Sequence, residues 1–221
     1  MVYRRTERVL HRLAVRHAAI IMAAGEIAAE SGMDAVQIVP VAARAGIAAG
    51  TVYRYFPSKT ELVAALVDGV AEREVAAIRR AAAAAPGPLS ALAAAIVAFA
   101  SRAAGERRLA SAVLSEPSES QQDAPGLRYR AALVDEFAQR IGTAIESGHV
   151  PAQDVARAAA ALVGAVIEGL LGPLAPQSAL PRNDVQELTL FALRALGVVD
   201  ARARGLVVQA TEAQWRPSED G

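Results

Sequence analysis

Hydrogen-bonding side chains cluster around residues 51–59 in a pattern that suits contact with a nucleic acid. Thr51 and Tyr53 lie on a short stretch with helical spacing, and their hydroxyl groups can donate to phosphates and to base edges in a major groove. Arg54 can reach either kind of group, with a solvated helix face as the alternative. Lys59, the only lysine in the chain, falls in the first turn of the next helix, where its charge and the free backbone amides can meet one phosphate.

The sequence offers no comparable set of catalytic or metal-binding residues. Cysteine is absent, which excludes disulfides, thiolate metal ligands and cysteine nucleophiles. The three histidines, His11, His17 and His149, are not paired at the spacing of metal ligands. Because a glycine-rich phosphate loop, an elbow serine and a convergent acid cluster are also missing, we expect no enzyme, no metal and no cofactor.

The charge distribution agrees with an anion-binding N-terminal region. The 221 residues have a formal net charge of zero, but residues 1–59 carry eight basic and four acidic groups, a balance of +4, and the remainder carries −4. Such a split is typical of an anion-binding head on a body that does not bind polyanions. The N-terminal arginines, which are Arg4, Arg5, Arg8 and Arg12, suggest an arm along the DNA backbone. A cloning remnant and a disordered tail are equal alternatives.

The elements that must position these side chains begin with a helix over about 13–31, which Gly32 ends. Shorter helices follow at about 40–45 and 49–55. Ser58 and Glu61 then form a capping box, which opens a long helix that runs to about Ala85.

The two short helices have the organisation of a helix-turn-helix. Ala42 is the small residue that the helix crossing requires, and Gly46 can adopt the positive φ of the turn. Apolar residues at the locking positions include Ile47 and Val52. The outward positions of the second helix are Ala49, Gly50, Thr51, Tyr53 and Arg54. A plain helical hairpin is the alternative interpretation of these helices.

Residues 50–62 closely resemble the signature of the tetracycline-repressor (TetR) family of bacterial regulators, and the resemblance is specific across residues 16–66. It implies that Thr51 and Tyr53 face DNA and that Tyr55 and Lys59 grip phosphates. The predicted DNA-binding residues are Arg44, Ala49, Gly50, Thr51, Tyr53, Arg54, Tyr55 and Lys59.

The chain departs from the family pattern at three positions. Ala48 replaces the usual Ser or Thr cap of the recognition helix, which loses about 1 kcal/mol of capping. Ala49 replaces a common lysine, so one phosphate contact is absent. Gln37 replaces a common hydroxyl residue before the first helix of the motif.

Beyond Pro88 the sequence predicts further helices. Their approximate ranges are 88–104, 106–115, 125–147, 152–172 and 184–197, with a partly helical tail to about Trp215. The polar loop 116–125 separates two of them, and Asn183 with Gln186 reads as a second capping box. The least polar stretch, 155–176, contains charged residues and two prolines, so we expect a buried helix rather than a membrane span and a cytoplasmic protein.

The resemblance implies that the last two long helices form a homodimer and that the body encloses an effector pocket. Apolar stripes agree with dimerisation, although an intramolecular core would give the same pattern. The predicted interface residues are Val155, Leu162, Val166, Leu170, Val185, Leu188 and Ala192. Possible pocket walls and polar anchors, for which plain core or surface is the alternative, are Phe99, Arg102, Leu109, Leu114, Arg128, Tyr129, Leu133, Phe137 and Glu168.

The sequence as a whole predicts an all-α protein of nine or more helices. A three-helix helix-turn-helix domain with its basic arm occupies residues 1–60, and a larger effector-binding and dimerisation domain occupies 61–221. The expected function is a ligand-responsive regulator, most simply a repressor, that binds a palindromic operator in double-stranded DNA and is released by a small molecule. The alternatives are a helical adaptor without DNA binding and, less favoured, an enzyme.

Overall fold

A computed structural model describes residues 2–115, 125–176 and 181–215 of the chain. Within those ranges the regular elements are all helices, which confirms the predicted all-α class. A short 3₁₀ turn, Met33–Ala35, follows the first helix. The α-helices are α1 (Val2–Ser31), α2 (Ile38–Arg44), α3 (Ala49–Tyr53), α4 (Lys59–Ala83), α5 (Pro88–Gly105), α6 (Arg107–Leu114), α7 (Pro125–Glu146), α8 (Val155–Leu171), α9 (Pro181–Ala195) and α10 (Asp200–Gln214).

Helix α1 is longer than the sequence predicts, because it begins at Val2 and not near Leu13. The N-terminal segment that we predicted to be an arm is therefore the first part of this helix. Apolar residues in the C-terminal half of α1 pack into the core, whereas those nearer its N-terminus do not. Ile20 is fully buried, but Leu10 is 60% exposed. The side chains of Val9, Leu10 and Leu13 therefore lie outside the core of the head, which we define as α1, α2 and α3.

Helix α4 joins the head to the body, which we define as α5 to α10. Its N-terminus is capped as predicted, because the Ser58 hydroxyl accepts a hydrogen bond of 3.1 Å from the Glu61 amide. Leu62 and Leu66 on its first turns are buried in the same core as the head, and Ile78 further along is fully buried. Helix α4 therefore contributes buried apolar side chains to the core both near its N-terminus and further along its length.

Helix α5 is the centre of the body and packs against α4, α7, α9 and α10. Its apolar residues and small alanines permit close approach on every side, and Ile96 and Ala93 are fully buried. It is the one described helix long and apolar enough to cross a membrane, and 56% of it is buried inside the chain. More than half of this helix thus packs inside the body.

Several predicted boundaries differ from the structure. Helix α9 begins at Pro181, so Asn183 lies inside the helix and is not its cap, and the predicted capping box with Gln186 is wrong. The preceding helix, α8, does have a side-chain cap: the Asp154 carboxylate accepts a hydrogen bond of 2.9 Å from the Arg157 amide. Most of the predicted polar loop, 116–124, and the chain after Trp215 lie outside the described residues.

Candidate DNA-binding surface

Recognition helix α3 is held in place by two apolar side chains. Val52 is fully buried and Phe56 is 3% exposed, and both belong to the core that α1 and α2 share. The turn before α3 depends on Gly46, whose φ of 66° lies in the left-handed region that favours glycine. The Ile47 amide then donates to the Ala42 carbonyl at 3.0 Å, which closes the turn.

Helix α3 presents a polar face to solvent on its opposite side. Tyr53 is 53% exposed, and Gly50 and Arg54 are also exposed, while Thr51 is half-buried. Ala49 is half-buried and packs on the core, so it offers less surface than the sequence predicts. Gly50 has no side chain and leaves the backbone open to close approach. The resulting face is small, polar and unobstructed.

The N-terminus of α3 lacks a side-chain cap, as predicted from Ala48. The helix is only five residues long, and such a short helix has no independent stability in water. Its conformation therefore depends on the packing of Val52 and Phe56. The Gln37 side chain does not cap α2 either; its amide donates to the Asp34 carbonyl at 3.0 Å.

Aromatic residues connect the end of α3 to α1. The rings of His17 and Phe56 have centroids 4.9 Å apart, and those of His17 and Tyr55 lie 6.4 Å apart. Tyr55 is half-buried at this contact, so packing restrains its ring while part of the side chain stays accessible. This arrangement is compatible with the phosphate contact that the sequence predicts for Tyr55.

Lys59 stands at the first position of α4, directly after the capping residue Ser58. Its side chain is half-buried, and within the described residues it makes no ion pair. The positive end of a helix lies beside this charge, where an anion would meet both. The predicted phosphate contact therefore has a free cation in a suitable position.

Arg44 does not extend into the DNA-binding surface as the sequence predicts. Its guanidinium donates to Glu30 at 2.6 and 2.9 Å and to Glu26 at 3.3 Å, and these two carboxylates on α1 raise the pKa of Arg44. The same bonds lower the pKa of Glu30. Local sequence does not reveal these two acidic partners, because they lie 14 and 18 residues away along the chain. Arg44 thus fastens α2 to α1.

The helix-turn-helix region is similar in sequence to known proteins. Residues 20–66 match the sequence profile described as bacterial regulatory proteins, tetR family, and they include the whole helix-turn-helix. The helix-turn-helix end of the chain is therefore similar to this family. It is 45% identical over 67 residues to the transcriptional repressor KstR of Mycolicibacterium smegmatis, a match that spans 30% of this chain and 33% of KstR. The tetR-family match thus accounts for the DNA-binding end of the chain.

The solved structures of RolR and FadR resemble the chain over nearly its full length. RolR in complex with resorcinol aligns with a TM-score of 0.65 at 22% identity, over 90% of this chain and 95% of RolR. FadR from Bacillus subtilis in complex with stearoyl-CoA aligns with a TM-score of 0.62 at 20% identity, over 88% of this chain and 97% of FadR. At these identities the likeness establishes the shared fold.

Five of the predicted pocket residues do lie together in the body. Phe99, Arg102, Leu109, Leu114 and Tyr129 line a cavity of about 20 Å³, which is space for one water molecule. Burial raises the pKa of the Tyr129 hydroxyl, so it stays protonated.

Two acidic residues, neither of them predicted from the sequence, also line this cavity: Glu106 and the buried Glu74. Glu74 is 8% exposed and accepts hydrogen bonds of 2.5 and 2.8 Å from Arg102. The sequence feature that could have identified Glu74 is its position among apolar residues at helical spacing on the buried face of α4. Because the Arg102 guanidinium is already paired with the Glu74 carboxylate, Arg102 is not the free polar anchor for an effector that we predicted.

The other predicted pocket residues lie elsewhere. Leu133 and Phe137 are fully buried core, with the Phe137 ring 6.2 Å from that of Phe99. Arg128 points to the outside of α7, where it donates to Asp68 at 3.0 Å. Glu168 is exposed at the end of α8. These four residues are core or surface.

The predicted dimer stripe is mostly the core of its own chain. The five residues buried by neighbouring helices of the same chain are Leu162, Val166, Leu170, Val185 and Ala192, and each is at most 5% exposed. Val155 and Leu188 are half-buried. An apolar groove remains open between α8 and α9, where Phe191 is 56% exposed beside Ala161 and Ala165. Leu162 and Ala192 of the predicted stripe also line this groove.

Proposed function

We propose that the chain is a transcriptional repressor that binds a palindromic DNA operator as a homodimer and is released by a small effector. The observation that carries DNA binding is the exposed polar face of α3, held by the buried Val52 and Phe56. The KstR relative is named as a repressor, which supports repression. The resorcinol and stearoyl-CoA complexes of RolR and FadR support a response to a small molecule.

In this proposal the residues of the head have separate roles. Thr51 and Tyr53 contact base edges from α3, Arg54 contacts a base or a phosphate, and Lys59 and Tyr55 contact phosphates. The DNA-binding domain corresponds to residues 1–60 and the effector and dimerisation domain to 61–221. Helix α4 begins at this boundary, so the phosphate contact of Lys59 is directly linked to the body.

The proposed dimer uses the open groove between α8 and α9. This groove has a volume of about 370 Å³ and an apolar floor that includes Phe191 and Leu162. An apolar groove that contains an exposed phenylalanine suits burial against a second copy. Two heads on one dimer can occupy a palindrome when their recognition helices stand about one DNA turn, roughly 34 Å, apart.

The test is recovery of DNA by binding selection from random duplexes. A repressor dimer should recover a palindrome with half-sites one helical turn apart, and its affinity should fall with increasing salt. Fluorescence anisotropy on the recovered site, with Tyr53→Ala as the variant and Val208→Ala on α10 as the control, assigns the contact to α3. A helical adaptor without DNA binding would recover no sequence and show no salt-dependent binding.

A further inference from the structure

A large open groove lies where the head meets the body. Helices α1, α4 and α6 form its walls, and its volume is about 950 Å³, near the upper end of the usual range for small-molecule sites. Its apolar lining includes Ile21, Met22, Leu66, Val70 and Leu109. Met22 is 64% exposed although it is a large apolar side chain, so the groove presents uncovered apolar surface to water.

The groove exists because small residues line it. Gly25 on α1, Gly69 on α4 and Gly105 at the end of α5 all contribute to its walls. A Cβ at Gly25 would meet Leu66 at 3.5 Å, an ordinary contact, so α1 and α4 pack closely there. A Cβ at Gly69 would meet nothing within 4 Å. Gly69 therefore faces open space that a larger side chain would fill.

The charged groups at the rim leave an excess of positive charge. Glu26 is engaged by Arg44 at 3.3 Å, and Glu106 lies 3.8 Å from Arg73. Arg107 and Arg108, at the start of α6, make no ion pair within the described residues. Two unpaired guanidiniums at one end of an apolar groove complement a ligand with an apolar body and one carboxylate.

The groove continues towards the small cavity of the body. Val70, Glu106 and Leu109 line both spaces, and the Glu74–Arg102 ion pair lies at the inner one. Because the enclosed cavity holds only one water, the groove is the larger space that an effector can occupy without rearrangement of the core.

We propose that this junction groove binds a carboxylate amphiphile, with its apolar body along α1 and α4 and its carboxylate on Arg107 and Arg108. The inference rests on the proposed function, because it names the ligand class and the place of the effector response. A ligand there touches α1 of the head and α6 of the body at once. It therefore favours one position of the head on the body over another, which is the requirement for allosteric release.

The first experiment measures binding of dodecanoate by calorimetry, below the concentration at which it forms micelles. Gly69→Phe fills the groove and should weaken binding at least tenfold, and Gly205→Phe is the matched control, since a Cβ at Gly205 on α10 also meets nothing within 4 Å. Circular dichroism melts confirm that both variants fold. Equal dodecanoate affinity in the two variants would overturn the proposal.

A second variant tests the headgroup contact without changing the shape of the groove. Arg107→Gln with Arg108→Gln should weaken dodecanoate at least fivefold while leaving the affinity for uncharged dodecanol unchanged, and Arg202→Gln on α10 is the control. Loss of both ligands to the same extent contradicts the carboxylate assignment.

The regulatory half of the proposal is tested on DNA. Dodecanoate should lower the affinity of the parent chain for its selected duplex at least tenfold and should have less effect on Gly69→Phe. If dodecanoate binds in the groove and DNA affinity is unchanged, the regulatory half is wrong. If the parent chain binds no duplex at all, the proposed function fails, while the calorimetric comparison still decides whether the groove is a binding site.

Discussion

Arg44 and Glu30 form a two-bond ion pair, with Nη1 to Oε1 at 2.9 Å and Nη2 to Oε2 at 2.6 Å, that ties the end of α2 to α1. The pair fixes the first helix of the helix-turn-helix to its support. Because the same guanidinium also reaches Glu26, the contact holds two turns of α1. The orientation of α2 thus depends on charge as well as on the buried Val41 and Ala42.

The Arg44 contact predicts a pH-dependent stability of the head. The pKa of Glu30 is lowered from its ordinary value of 4.5, so the stabilisation is complete above that value and is lost as the pH falls through the lower folded pKa. Glu30→Gln should therefore melt at a lower temperature than the parent chain at pH 7, and the gap should close below pH 4.5. Glu72→Gln, at an exposed position on α4, should show no gap at either pH.

Lys59→Ala should weaken DNA binding evenly across operator variants. Loss of one phosphate contact should reduce the slope of log affinity against log salt by about 0.9. Salt-dependent anisotropy measures the slope, and Arg80→Ala, a cation at the far end of α4, should leave it unchanged. A loss confined to one base position would show that Lys59 reads sequence and does not grip the backbone.

Phe191→Glu should convert the proposed dimer into a folded monomer. The side chain is 56% exposed in the groove between α8 and α9, so a carboxylate there is solvated in the monomer and is buried unpaired only in the dimer. Sedimentation measures the state of assembly, and a melting curve confirms the fold. Val208→Glu, at a residue 50% exposed on α10, should remain dimeric. A Phe191→Glu chain that still dimerises places the interface elsewhere.

Glu136→Gln should destabilise the body. The Glu136 carboxylate is 2% exposed and accepts hydrogen bonds from Arg79 at 2.7 Å and from Arg140, so it joins α4 to α7. Removing its charge leaves Arg140 half-buried without a counterion and should cost about 3 kcal/mol. Urea unfolding measures the loss, and Asp135→Gln, at the exposed neighbouring position, should change stability by less than about 0.5 kcal/mol.

Local signals predicted the head well. The positive φ of Gly46 and the capping of α4 by Ser58 depend only on neighbouring residues and not on how the helices pack. The turn and the start of α4 could therefore be predicted from local sequence. The role of Arg44 depended on how α1 crosses α2, which no local pattern records. The same limit explains Leu162, because an apolar stripe shows which face is buried and not whether the partner belongs to the same chain.

The single lysine has a practical consequence for chemical modification. Reagents that acylate primary amines have only the Lys59 side chain and the N-terminal amine to react with. Modification of Lys59 removes its positive charge at the start of α4, whereas the 22 arginines implied by a total of 23 basic residues are untouched. Protection of this one amine from acylation by added duplex would therefore report occupancy of the DNA-binding surface directly, by a mass shift at one peptide.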